Sequence, residues 1–146
     1  MTKRPNTLIA VCAVLTLASV LHATLRAQGA KSVADGIYTE AQAKRGMDLF
    51  GVKCKECHGE DLKGMADIVP ALTGDSFMMN WKGKQLNELF DKIYSTMPAL
   101  DPGSLKPDQA ADLIAYIFSV SKYPAGTEEI APNSKALTGI KIDAPK

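Results

Sequence analysis

Cys54-Lys55-Glu56-Cys57-His58 brings two thiols and an imidazole together in one short run. The pattern C-x-x-C-H is the attachment signature of covalently bound c-type haem. Two thiols can add across the two vinyl groups of one haem, forming thioethers. Two intervening residues in a helical turn set both sulfurs toward the same macrocycle edge. The adjacent His58 then lies under the iron and offers an imidazole nitrogen as proximal axial ligand. Rival chemistries lack partners. A structural zinc site needs four ligands, and beyond residue 27 the only Cys and His residues are Cys54, Cys57 and His58, so a carboxylate would have to complete it. A thioredoxin-like C-x-x-C belongs in a βαβ pattern, and no strand pattern precedes Cys54. A plain Cys54–Cys57 disulfide is the remaining reading.

Iron in such a site takes a second axial ligand, and the sequence narrows the choice. His22 lies in an N-terminal stretch that reads as an export signal, which leaves His58 as the single histidine of the mature chain. Ligation by two histidines of one chain is therefore excluded. The mature methionines are Met47, Met65, Met78, Met79 and Met97. Met47 is assigned to the apolar face of the first helix, and Met65 is too close in sequence to the proximal side. Met78 and Met79 are possible. Met97 is favoured: it sits in a non-helical segment about 40 residues beyond His58, and Pro98 stiffens its exit. A thioether sulfur favours ferrous iron and raises the reduction potential. With both axial positions filled, no site remains for a substrate, which favours electron transfer over catalysis.

The export signal covers residues 1–27. Lys3 and Arg4 form a positive start, Leu8 to Leu21 is apolar and uncharged, and Leu25-Arg26-Ala27 offers a cleavage site. Cleavage after Gly29 is equally defensible. The apolar run is short for a bilayer span, which takes about 20 residues, so membrane contact is expected only if this segment stays uncleaved. Cys12 lies within the apolar run and follows Val11, which does not suit a lipoprotein site. The expected location is therefore periplasmic. Removing 27 of the 146 residues leaves 119, the size of one domain. Lys3, Arg4 and Arg26 leave with that segment, so 14 of the 17 basic residues remain against 16 acidic ones. That balance excludes the basic patch of a nucleic-acid binder. The mature chain has no cysteine beyond the motif and hence no disulfide framework.

The elements that must position the motif follow from periodicity. Residues 28–37 read as a flexible leader. Thr39 can N-cap a helix over Glu40 to Lys53, with Gln42 completing a capping box and Ala43, Met47 and Phe50 on its apolar face. Residues 59–80 read as an irregular loop, whose length is justified by wrapping a haem. Gln85 to Tyr94 is a second amphipathic helix through Leu86, Leu89, Phe90 and Ile93. Pro107 opens a third, which buries Ala110, Leu113, Ile114, Ile117 and Val120 and stops near Ser121. Residues 124–146 read as a surface tail.

Over residues 38–123 the sequence resembles the class I mono-haem cytochromes c of the bacterial periplasmic type. The resemblance is carried by Gly46 and Phe50, Cys54-Lys55-Glu56-Cys57-His58, Val69-Pro70-Ala71-Leu72, Trp81, Ser95-Thr96-Met97-Pro98 and Leu113-Ile114-Ala115-Tyr116-Ile117. It implies an all-α fold in which the first and last helices cross near Gly46, with Tyr116 and Phe50 packed around the crossing. It implies one haem c attached through Cys54 and Cys57, with His58 and Met97 on the iron. It further implies that the Pro70 carbonyl accepts a hydrogen bond from His58, that Leu72 packs on the haem, and that Trp81 directs its indole N–H to a propionate. Ser95, Thr96 and Asn80 are weaker polar candidates.

Lys53, Lys55 and Lys63 surround the edge that this resemblance leaves exposed, interrupted by Glu56, Glu60 and Asp61. They suggest transient docking to redox proteins through a small interface. The chain offers no Ser/His or Cys/His pair for nucleophilic catalysis, because its histidine and both cysteines are committed, and it has no phosphate loop. The expected role is an electron carrier between a donor dehydrogenase and an acceptor oxidase or other cytochrome, not an enzyme. The alternative is a gas or redox sensor, or a small haem enzyme, with an open sixth site.

Overall fold

The computed structural model describes residues 32–66 and 68–145. The export signal, its cleavage sites, Cys12 and His22 lie outside the described residues. Those described form six α-helices, α1 (Glu40–Lys53), α2 (Lys55–His58), α3 (Gly74–Trp81), α4 (Leu86–Thr96), α5 (Pro107–Val120) and α6 (Ser134–Leu137), after a 3-10 turn at Val33–Asp35. Isolated bridges occur among them, but no strand. The fold is all-α, as the sequence implies.

Helix α1 begins where Thr39 adopts an extended conformation and its hydroxyl accepts the Gln42 N–H at 3.1 Å. Ala43, Gly46 and Phe50 form its buried stripe. Helix α5 starts with Pro107 in its first turn and buries Ala110, Leu113, Ile114 and Ile117, with Val120 half-buried. The two helices cross at Gly46. A methyl group there would overlap the Asp112 carbonyl oxygen and lie 2.9 Å from Tyr116 Cβ. Beside the crossing, Phe50 and Tyr116 rings meet at 5.3 Å and 54°. Helix α4 buries Leu86, Leu89, Phe90 and Ile93, the predicted stripe.

The structure departs from the sequence reading in five places. Residues 74–80, expected as irregular, belong with Trp81 to helix α3, anchored by buried Phe77. Gly74 and Asn80 suppress the helix signal there, and tertiary packing overrides it. Met47, expected in the core, lies at the edge of the α1 stripe and is 46% exposed. Gln42 does not complete a capping box. Its side chain is buried, and its amide donates to the Ile130 carbonyl at 3.1 Å and accepts the Ile130 N–H at 2.8 Å. A buried amide needs both a donor and an acceptor, and the backbone of Ile130 supplies both.

The two ends differ as well. Residues 32–37 are not a loose leader: Val33, Ala34 and Ile37 are buried, and Val33 N–H donates to Lys141 O at 2.9 Å. Residues 124–145 are not a surface tail, since Ile130, Leu137 and Ile142 enter the core. The Tyr38 hydroxyl donates to Tyr123 O at 2.7 Å, joining the two ends. These segments carry few large apolar residues, so composition hides how well each is placed. Arg45 adds an exposed tie, with 2.9 and 3.0 Å bonds to Asp112 and 2.8 and 3.1 Å bonds to Glu129.

Gly46→Ala is expected to destabilise the protein by about 1–3 kcal/mol in urea unfolding through overpacking. Gly51→Ala, where an added Cβ meets nothing within 4 Å, is expected to stabilise it by up to about 1 kcal/mol. The bonds from Arg45 hold the Glu129 carboxyl below its ordinary 4.5. A carboxyl lowered by folding stabilises the folded state above its unfolded pKa, and the effect is lost as pH falls through the folded value. The loss in urea midpoint on Glu129→Gln should therefore be full at neutral pH and close in acid.

Candidate haem site

Helix α1 runs straight into the C-x-x-C-H segment. Cys54 breaks the helix, and α2 rewinds it: Cys57 and His58 N–H groups both donate to Cys54 O, at 3.2 and 3.0 Å. Residues three and four apart on such a turn share a face. Cys54, Cys57 and His58 accordingly line one cleft of about 340 Å³. Its floor is apolar, with Phe50 from α1, Leu89 and Ile93 from α4, and Leu113 and Ile117 from α5. Pro70, Leu72, Trp81 and Met97 line the same cleft, so all seven sequence-predicted site residues come together.

His58 is oriented by the loop that follows it. Gly64 N–H donates to His58 O at 2.9 Å, Met65 and Val69 pair their backbones at 3.0 and 2.8 Å, and Leu72 N–H donates to Leu62 O at 2.8 Å. Gly64 has φ +65°, and an added Cβ would strike the Val69 carbonyl and lie 2.8 Å from Pro70 O. The loop thus folds tightly enough to bring Pro70 O to 3.1 Å from His58 Nδ1. A carbonyl only accepts, so Nδ1 carries the proton and the Nε2 lone pair remains available. Burial lowers the His58 pKa, opposed by the bond to Pro70, and favours this neutral form.

Met97 follows the last turn of α4. Its N–H still donates to Ile93 O at 3.1 Å, but its own backbone is extended and Pro98 prevents continuation. It is the one methionine among the described residues that lines the cleft. Met78 is half-buried, with its sulfur 3.4 Å from the Tyr123 hydroxyl. Met47, Met65 and Met79 are exposed. Trp81 packs near Phe77 at 6.3 Å, with the Lys84 ammonium 4.9 Å from its ring. Asn80 lines the cleft. Ser95 and Thr96 do not; their hydroxyls donate back to the carbonyls of Asp91 and Lys92 within α4.

The donor set fits a covalent haem better than its rivals. Burial pushes the Cys54 thiol up to about 11, with the neighbouring Cys57 adding to the rise, so the free thiol stays protonated at neutral pH. No group of three or more His, Cys, Asp and Glu side chains among the described residues could hold a metal ion. Two thiols, an oriented imidazole and a thioether around an apolar cavity match haem attachment and ligation.

Sequence reasoning missed part of the rim. Val52, Ile68 and Leu100 line the cleft and are also exposed, Leu100 at 95%. Isolated apolar residues in polar segments were the available signal. Of the expected lysine cluster, Lys55 pairs with Glu60 at 3.1 Å and Lys63 with Asp61 at 3.5 Å. Lys53 lines the cleft together with Lys92, which the sequence reading did not single out.

This arrangement serves haem-based electron transfer, and the class it defines is the c-type cytochromes. The family follows from residues 41–117, which match the model described as cytochrome c oxidase, cbb3-type, subunit III; the chain belongs to that family. No curated protein and no solved structure matches it.

Gly64→Ala should destabilise the protein by about 2 kcal/mol or more, combining positive-φ strain with overpacking. Gly83→Ala, at φ +82° with nothing within 4 Å, should cost only the strain. Parallel urea unfolding of the two variants measures the difference.

Proposed function

We propose that the chain is an exported electron carrier with one covalent haem c, bound through Cys54 and Cys57 and ligated by His58 and Met97. The carrying observation is the position of Met97. It alone among the methionines of the described residues lines the cleft, while Met78 is turned to Tyr123. The haem, when bound, supplies the one-electron couple of its iron. The protein supplies everything around it. Pro70 fixes the His58 tautomer and strengthens its donor nitrogen. Met97 favours the ferrous state and occupies the position a substrate would need. Leu72 and the apolar floor keep water from the ring plane, and Trp81 is suited to donate its N–H to a propionate.

Location and partners rest on other observations. The segment 1–27 supports export, with the domain in the periplasm. Among the described residues no helix is long and apolar enough to cross a membrane. Redox proteins are the partners: a dehydrogenase as donor, and a terminal oxidase as acceptor. The family description supports the oxidase. Lys53 and Lys92 at the cleft suit an acidic docking patch.

Absorption spectra of oxidised and reduced protein test the ligand set. A weak long-wavelength Met–iron charge-transfer band is expected in the wild type, lost in Met97→Ala and kept in Met78→Ala. A five-coordinate wild-type spectrum that Met97→Ala leaves unchanged, or rapid tight binding of carbon monoxide at neutral pH, would overturn the carrier reading in favour of a sensor or enzyme.

A further inference from the structure

The turn between α3 and α4 separates two walls of the cleft: Trp81 precedes it, and Leu89 and Ile93 follow it. Lys82, Lys84 and Gln85 N–H groups bond locally, and the C-terminal segment takes Gly83 N–H, the Lys84 carbonyl and the first N–H of α4. Gly83 N–H donates to Ile142 O at 2.8 Å, Ile142 N–H to Lys84 O at 2.9 Å, and Leu86 N–H to Ile140 O at 2.8 Å. The Gln85 side chain accepts Gly139 N–H at 2.8 Å. Ile142 is fully buried, which fixes the segment from the other side. Tyr123 adds a second hold. Its hydroxyl donates to Asp143 O and lies 3.4 Å from the sulfur of Met78, on the same helix as Trp81.

The connection continues to the cleft. Lys84, whose carbonyl receives Ile142, places its ammonium 4.9 Å from the centre of the Trp81 ring. A cation over an indole face is attractive and directional. A chain of direct contacts therefore runs from Ile142 through Lys84 to Trp81. The family match ends at residue 117, so residues 139–143 lie outside it.

We propose that residues 139–143 are a brace that positions Trp81 against the bound haem, with Ile142 and Lys84 as its positioning residues. This rests on the reading that haem fills the cleft. The turn has little apolar side chain of its own with which to fix itself. The tail supplies the missing order through backbone hydrogen bonds, which a buried residue at 142 other than proline could make. Lys84 then transmits the order to the one indole in the chain.

Trp81 is the only tryptophan, so its fluorescence reports the brace directly. Haem close to the indole quenches its emission, and a gain of emission means that Trp81 has moved away. Emission is measured on haem-loaded wild type, Ile142→Pro, Ile142→Val and Lys84→Met, together with far-UV circular dichroism and the Met–iron band. Ile142→Pro removes the N–H given to Lys84. It should gain emission while helix content and the Met–iron band persist. Ile142→Val keeps the N–H and should stay quenched. Lys84→Met leaves the backbone bonds in place and should gain emission too, which keeps the test decisive should Ile142→Pro not fold. Emission that stays quenched in folded Lys84→Met and in any folded Ile142→Pro, even with a lower thermal midpoint, would reduce the segment to a stabilising cover and overturn the brace. A wild type without covalent haem would instead overturn the site reading on which the brace rests.

Discussion

Helices α1 and α5 approach so closely at Gly46 that the backbone of one meets the Asp112 carbonyl of the other. The rest of the site is built outward from that contact. It fixes the axis of α1, whose last turn delivers Cys54 to the cleft. It also fixes the roll of α5, whose inner face does two jobs. Leu113 and Ile117 pack within the core and floor the cleft. A side chain at the crossing would push the floor away from the cysteines, and the cavity would lose its shape before it lost its ligands. The tilted Phe50–Tyr116 pair flanks the crossing and hinders the helices from sliding past it.

Met97 and the carbonyl that orients His58 both come from irregular backbone, and hydrogen-bond accounting explains why. A helix spends its carbonyls on its own N–H groups. The acceptor for His58 must therefore come from a turn, and Pro70 provides it from a loop that Gly64 allows to close. Met97 likewise sits where α4 has ended and the chain is extended. Such loops have little to hold them. In this chain the support is internal pairing, as between Met65 and Val69, and docking of distant backbone, as between Ile142 and Lys84. Small irregular segments become precise when their polar groups are all spoken for.

The three long helices were legible because periodicity survives in a single sequence: Leu86, Leu89, Phe90 and Ile93 can hardly do anything but line one helix face. The chemistry of Cys54, Cys57 and His58 was legible because it depends on covalent spacing within one turn. Helix α3 was not, since Gly74 and Asn80 mask it and its support comes from the packing of Phe77, Met78 and Trp81 against the core. Nor was the fate of Gln42. Its local partner for a capping box was in plain view, whereas Ile130, the partner it takes, is far along the chain and contributes only main-chain atoms.

The sequence by itself determined the haem-attachment motif and the three long amphipathic helices, which follow from residue type and short-range spacing that one chain displays in full. The all-α class and the crossing at Gly46 entered through the family resemblance, and Met97 was favoured among the methionines by its place after a helix and before Pro98. Tertiary structure alone decided which methionine faces the cleft, how the loop brings Pro70 to His58, and that both chain ends are integral to the core. Those outcomes rest on contacts between residues far apart in sequence and on backbone hydrogen bonds that carry no side-chain signature. Tyr38 meeting Tyr123, and Ile142 meeting Lys84, are contacts of this kind.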